Sequence, residues 1–126
     1  MPLCAPSFLT RPLSDFLMLN HYSAAELACM TACNDCAIAC GDCFAQMAGK
    51  ESPNACPACC VDCAALCRLC ADAVARHSPF AAQLCAICAD SCKLCAEQCV
   101  EHAMEHCQAC AAACRVCEAA CRAMAA

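Results

Sequence analysis

Cysteine recurs at alternating intervals of four and three residues through four successive stretches of this chain. Cys29, Cys33, Cys36, Cys40 and Cys43 form the first run. Cys56, Cys60, Cys63, Cys67 and Cys70 form the second, with Cys59 beside it. Cys85, Cys88, Cys92, Cys95 and Cys99 make the third, and Cys107, Cys110, Cys114, Cys117 and Cys121 the fourth. This interval marks the inward seam of an amphipathic helix, where a bundle ordinarily places leucine or isoleucine. Here every turn of the seam carries a thiol.

At 126 residues the chain is long enough for one core and too short for two. Hydrophobic residues make up 63%, but much of that is alanine and cysteine; Trp is absent and Tyr occurs once, so large core residues are scarce. Seven basic against 12 acidic residues give a mildly negative chain. Without a basic patch interleaved with aromatics, nucleic acid is not an expected partner. No apolar run is long enough to span a membrane. The short stretch Phe16-Leu17-Met18-Leu19 follows Asp15 and has no twin arginine ahead of it. It reads as a docking helix over one end of the domain rather than as a secretion signal, which makes the expected location cytoplasmic.

Twenty-two cysteines in a reducing compartment do not read as a disulfide scaffold. Cysteines three and four residues apart on one helix also point their Cβ vectors poorly for a relaxed S–S bond. Metal binding is the expected use.

Start and stop signals place the seams. Residues 1–22 read as an N-terminal segment and 23–126 as the bundle, with helices over about 24–48, 54–77, 79–101 and 104–124. Ser23 and Glu26 form a capping box, and Gly49 supplies a stop. Ser52-Pro53 opens the second helix, with Asn54 as the alternative start that puts Pro57 in the first turn; Ser78-Pro79 opens the third. Between Cys99 and Cys107 there is neither Gly nor Pro. A turn near 102–105 is expected there, because one unbroken helix would leave half its seam unpaired. Short connections force antiparallel neighbours. The expected fold is all-α: an antiparallel up-down-up-down four-helix bundle with a cysteine-lined core and a short N-terminal helical segment.

A single buried cysteine is an ordinary small hydrophobe. Twenty on four seams are not, since leucine packs better and thiols oxidise. Zinc-type sites need four tetrahedral ligands, and each four-thiolate site carries a charge of about −2 into a dry interior. Copper(I) suits soft thiolates, accepts two sulfurs near linearity and, at one ion per thiolate, leaves the core neutral. An i,i+4 pair on one helix can reach around one such ion. An iron–sulfur electron carrier is the alternative, but the full ferredoxin spacing is absent and such clusters normally sit in wrapping loops.

The cysteine-lined helices carry a family resemblance, as do the link Glu101-His102-Ala103-Met104-Glu105-His106-Cys107 and the closing run Cys110-Ala-Ala-Ala-Cys114-Arg-Val-Cys117-Glu-Ala-Ala-Cys121-Arg-Ala-Met. Residues 22–126 resemble the bacterial four-helix-bundle copper storage proteins, in their cytosolic branch. The resemblance implies a homotetramer whose protomers fill their cores with multiple Cu(I) ions for storage and detoxification, without catalysis. The implied partners are copper ions and a copper chaperone or small-molecule copper carrier. Cys4 lies outside the seams and Cys59 beside one, so both depart from the plain pattern.

Extending the first, third and fourth seams by one step reaches Met47, His102 and Met124, and extending the second by seven residues, two steps, reaches His77. Thioether and imidazole are the remaining copper ligands. Met47 and His102 should share one end with Met104, His106 and Cys59. That end is the expected mouth, because the N-terminal segment should cover the end of His77 and Met124. The expected ligands are thus the twenty seam cysteines, Cys59, His102, His106 and Met47. Met30, Ile38, Phe44, Leu69, Ile87 and Leu94 fall off the seams, and one small bundle has no interior left for them. A homo-oligomer is expected on that ground as well.

Overall fold

The computed structural model describes residues 21–126, which form four α-helices and, within that span, no strand. The expected docking helix and Cys4 lie outside the described residues. Among those described, no helix is long and apolar enough to cross a membrane.

Helix α1 spans Ala24–Met47 and begins at the capping box: Ser23 Oγ accepts from the Glu26 N–H at 3.0 Å, and Glu26 Oε1 accepts from the Ser23 N–H at 2.7 Å. Two donors that the first turn leaves without partners are thereby satisfied. The helix stops at Gly49, whose φ of 78° is a left-handed conformation that a residue without Cβ adopts freely.

Helix α2 spans Cys56–Ala75 and α3 spans Ala81–Cys99, each two residues shorter at both ends than the spacing predicts. The prolines explain the later starts. Pro57 occupies the first turn of α2, while Pro53 and Pro79 lie in the turns ahead of their helices. Asn54 Oδ1 caps α2 by accepting from the Cys56 N–H at 3.0 Å. Ser78 Oγ accepts from the Phe80 N–H, and Ser78 O from the Ala81 N–H, both at 3.1 Å. Helix α2 ends without glycine. His77 takes φ 54°, its N–H bonds Val74 O at 3.1 Å, and the Ser78 N–H bonds Ala73 O at 2.9 Å. That is the paired closure of a Schellman ending.

Helix α4 spans Glu105–Ala125, after a real break from α3. Extended backbone at Met104 (φ −63°, ψ 140°) interrupts the helix, and the Gln108 side chain donates to the carbonyls of Val100 and His102. The helices pack in a ring in which α1 meets α2 and α4, and α3 meets α2 and α4. This is the up-down-up-down bundle. Buried alanines flank the seams, among them Ala32, Ala37, Ala64, Ala89, Ala96 and Ala111, and let the backbones approach closely. Of the six apolar residues expected outside the core, Met30 is an exception. It is buried at the edge of the α1 seam, and the other five are exposed.

Candidate metal centre

All twenty seam cysteines have zero solvent exposure, and no described cysteine is in a disulfide. Antiparallel packing sorts them into five layers, one thiol from each helix per layer. The first layer holds Cys43, Cys56, Cys99 and Cys107, with Sγ–Sγ separations of 3.6 Å for Cys43–Cys107 and 4.0 Å for Cys43–Cys56. Next come Cys40, Cys60, Cys95 and Cys110, with Cys110–Cys40 at 3.6 Å. The middle layer is Cys36, Cys63, Cys92 and Cys114, where Cys36–Cys114 and Cys63–Cys92 both measure 3.6 Å. Cys33, Cys67, Cys88 and Cys117 form the fourth, and Cys29, Cys70, Cys85 and Cys121 the last.

Sulfur also meets sulfur across the bundle axis. Cys60–Cys110 and Cys67–Cys117 lie at 3.8 Å and Cys29–Cys85 at 3.9 Å, each pair on diagonally opposed helices. A leucine seam would hold these helices apart. Along the axis, the i,i+4 pairs Cys29–Cys33, Cys36–Cys40, Cys63–Cys67, Cys95–Cys99 and Cys117–Cys121 measure 3.8–4.0 Å and join the layers. The core is one continuous sulfur mesh.

The mesh spacing indicates what it can hold. A metal–sulfur bond of about 2.3 Å, as for zinc, separates two sulfurs by about 3.8 Å at a tetrahedral angle, about 4.0 Å at a trigonal one and about 4.6 Å when linear. Many of the observed spacings lie near the tetrahedral and trigonal values, several at 3.6 Å fall just below them, and Cys56–Cys99 at 3.0 Å and Cys70–Cys85 at 3.1 Å fall well below, so the near-linear pairs favoured by the sequence would have to open by roughly 0.6–1.6 Å. Groups of four sulfurs within 4.8 Å of one another recur along the core, such as Cys36, Cys40, Cys63 and Cys114, or Cys36, Cys67, Cys92 and Cys117. These groups share Cys36, and others share Cys33, Cys40, Cys114, Cys117 or Cys121. Separate tetrahedral sites would compete for the same thiolates, each leaving two uncompensated charges in a dry core. Bridging thiolates suit a monovalent soft ion at high loading. Without metal, burial favours the neutral thiol in the two end layers, pushing Cys85 up to about 11 and Cys56 up to about 12.

The remaining expected ligands gather at the Cys43 end. Met47 is buried above Cys43 at 1% exposure, so this end is plugged rather than open. His106 Nδ1 lies 3.5 Å from Cys107 Sγ, and its buried Nε2 has no hydrogen-bond partner. Beside it, a cleft of about 290 Å³ between α1 and α4 is lined by Asp42, Gln46, Glu105 and Ala109. His102 is 8% exposed, and its Nε2 lies 2.9 Å from Asn54 Oδ1. Cys59 is buried but has no Sγ neighbour within 4.0 Å among the described residues; burial raises its thiol pKa, and Cys60 and Asp62 add to the rise. It stands apart from the mesh.

The opposite end is closed by aromatic rings. The Tyr22 hydroxyl donates to Ala75 O at 2.6 Å, and its ring stacks on His77 at 4.8 Å. His77 Nδ1 lies 3.6 Å from Glu26 Oε2, so this histidine finishes α2 and faces away from the thiols. Met124 is partly buried against the core. Sequence reasoning missed the polar clasp of Ser52, Asn54, Gln98 and Glu101 at the Cys43 end. Its one visible signal was Asn54 at a helix start.

Comparison with known proteins agrees with this geometry. The chain is similar to the Cu(I)-bound copper storage protein BsCsp3 at 40% identity, covering 81% of this chain and 99% of that one, with a TM-score of 0.77. It is also similar to apo copper storage protein 3 from Bacillus subtilis, at 42% identity over 79% and 97% of the two chains, with a TM-score of 0.74. A comparison with curated proteins finds no match. The profile of the copper storage protein family matches residues 18–126. By that match, and with its core of layered thiols, the chain belongs to the copper storage protein family.

Proposed function

We propose that this protein stores and sequesters many Cu(I) ions per protomer on the thiolates of its core, for copper storage and detoxification. The observation that carries the reading is the mesh of twenty fully buried cysteines in contact across layers and across the axis. The Cu(I)-bound state of a relative with 40% identity supports it. The seam cysteines are the proposed ligands. The role is a sink without turnover, and no described loop wraps cysteines as an iron–sulfur cluster would need. Titration with Cu(I) against a competing chelator tests it. Uptake of about one ion per seam thiol is expected, whereas saturation at four or five ions would indicate separate tetrahedral sites and overturn the reading.

Copper enters, on this proposal, at the Met47, His102 and His106 end. Neutral thioether and imidazole bind more weakly than thiolate and pass the ion inward. Asp42 and Glu105, which line the cleft beside His106, favour the approach of a cation. Cys59 is a reserve ligand just inside. The protein works in the cytoplasm as a homotetramer and exchanges copper with a chaperone or small-molecule carrier. Exposed Ile38, Phe44, Leu69, Ile87 and Leu94 supply apolar surface for such an assembly.

A further inference from the structure

We infer that Asn54 is a positioning residue that sets the tautomer of His102 and leaves Nδ1 as the nitrogen that meets copper. The inference rests on the reading of His102 as an entry ligand and adds how that ligand is prepared.

Hydrogen-bond direction carries the argument. Asn54 Nδ2 lies 2.8 Å from the backbone carbonyl of Gln98 and 3.0 Å from Glu101 Oε1. Both partners can only accept, so this side of the amide is the NH2 group. The other side is therefore the carbonyl oxygen, as its 3.0 Å contact with the Cys56 N–H also requires. That oxygen sits 2.9 Å from His102 Nε2. An amide oxygen cannot donate, so Nε2 carries the proton. Ser52 Oγ lies 3.0 Å from Asn54 O, 3.2 Å from Asn54 Oδ1 and 3.2 Å from Nε2; with its hydrogen given to either Asn54 oxygen it is free to accept from Nε2 as well.

A neutral imidazole with its proton on Nε2 has its lone pair on Nδ1. No hydrogen bond reaches Nδ1 from the described residues. This is how ligating histidines are commonly held, with one nitrogen donating to a fixed acceptor and the other bare. Asn54 belongs to the start of α2 and binds the end of α3, so it also locates the ring relative to two of the four seams. At 8% exposure the ring has little water with which to replace these bonds.

The test uses the full-length protein labelled with nitrogen-15 histidine. Wild-type apo protein should show His102 as the Nε2–H tautomer; an Nδ1–H spectrum overturns the inference. Asn54→Ala should give a mixture of tautomers and load Cu(I) about tenfold more slowly at unchanged capacity, the low end of the effect of removing such a partner. Asn54→Asp keeps an acceptor toward Nε2 but sets its second oxygen against Gln98 O and Glu101 Oε1, so it should hold the Nε2–H tautomer while lowering the melting temperature. A purely structural cap at α2 would leave the tautomer alone. If His102→Ala loads slowly but Asn54→Ala loads at the wild-type rate with its tautomer intact, Asn54 has no positioning role. If His102→Ala itself loads at the wild-type rate, the entry reading beneath the inference falls. The two failures are separable because the apo tautomer is read without copper.

Discussion

A buried thiol is a small apolar group and a buried thiolate is an unpaired charge, so protonation decides which residue each seam position holds. Burial raises Cys85 to about 11 and Cys56 to about 12. Unfolded cysteines ionise near 8.5. Below that pH Cys85 and Cys56 are neutral in both states and their contribution to apo stability is fully present. As pH rises toward the folded values the unfolded chain ionises first, and stability is lost. Apo protein should therefore melt at progressively lower temperature above about pH 9. Loaded protein, its thiolates held by copper, should lack that alkaline loss and release metal in acid, where protons compete for sulfur. Calorimetry of both forms across pH checks this, and matching profiles would contradict it. His77 poses a different residue-level problem, because a left-handed conformation suits glycine better. His77→Ala keeps the strained backbone and loses the Tyr22 stack, whereas His77→Gly loses only the stack and the Glu26 contact. The glycine variant should be the more stable of the two by about 1 kcal/mol in urea denaturation.

At the scale of the helix, local signals and distant contacts divide the work. Ser23→Ala removes one arm of the α1 capping box and should cost about 1 kcal/mol, measured by thermal melting of the apo protein. The seams were legible in the sequence because period fixes a face, and all twenty positions point inward. The stop at Gly49 was legible for the same local reason. The starts of α2 and α3 were less so. Proline suits both a first helical turn and the turn before it, so Pro53 and Pro79 admitted two registers. Asn54 chooses between them for α2 through Gln98 and Glu101, more than forty residues away. The α3–α4 break has no Gly or Pro and depends on Gln108 reaching the carbonyls of Val100 and His102. Met30 looked like surface because it lies off the cysteine period. The cores of thiol bundles are narrow, and a neighbouring long side chain folds over their edge.

At the scale of the whole molecule, the core is incomplete until it is loaded. Copper binds the native mesh and not the unfolded chain in that arrangement, so each ion bound shifts the folding equilibrium by linkage. Loading should raise the melting temperature steeply while helix content, set by alanine-rich helices already packed without metal, changes little. Circular dichroism showing apo protein as random coil would contradict this. The two ends of the mesh are chemically unlike, and that difference bears on traffic. Tyr22 and His77 close one end with stacked rings and a hydrogen bond to Ala75 O. At the other, Met47 covers Cys43, and the orphan Nε2 of His106 lies beside a cleft with two carboxylate residues. Methionine has three flexible bonds and moves aside more readily than a stacked aromatic pair. Replacing Met47, His102 and His106 together with alanine should slow both loading and chelator-driven removal, because of the neutral stepping ligands ahead of the first thiol layer only Met104 then remains. Final capacity should stay near the wild-type value, since all twenty seam thiols remain. Stopped-flow absorbance of the Cu(I)–thiolate band measures both rates. If they match wild type while a His77/Met124 double variant is slow, copper enters through the Tyr22 end.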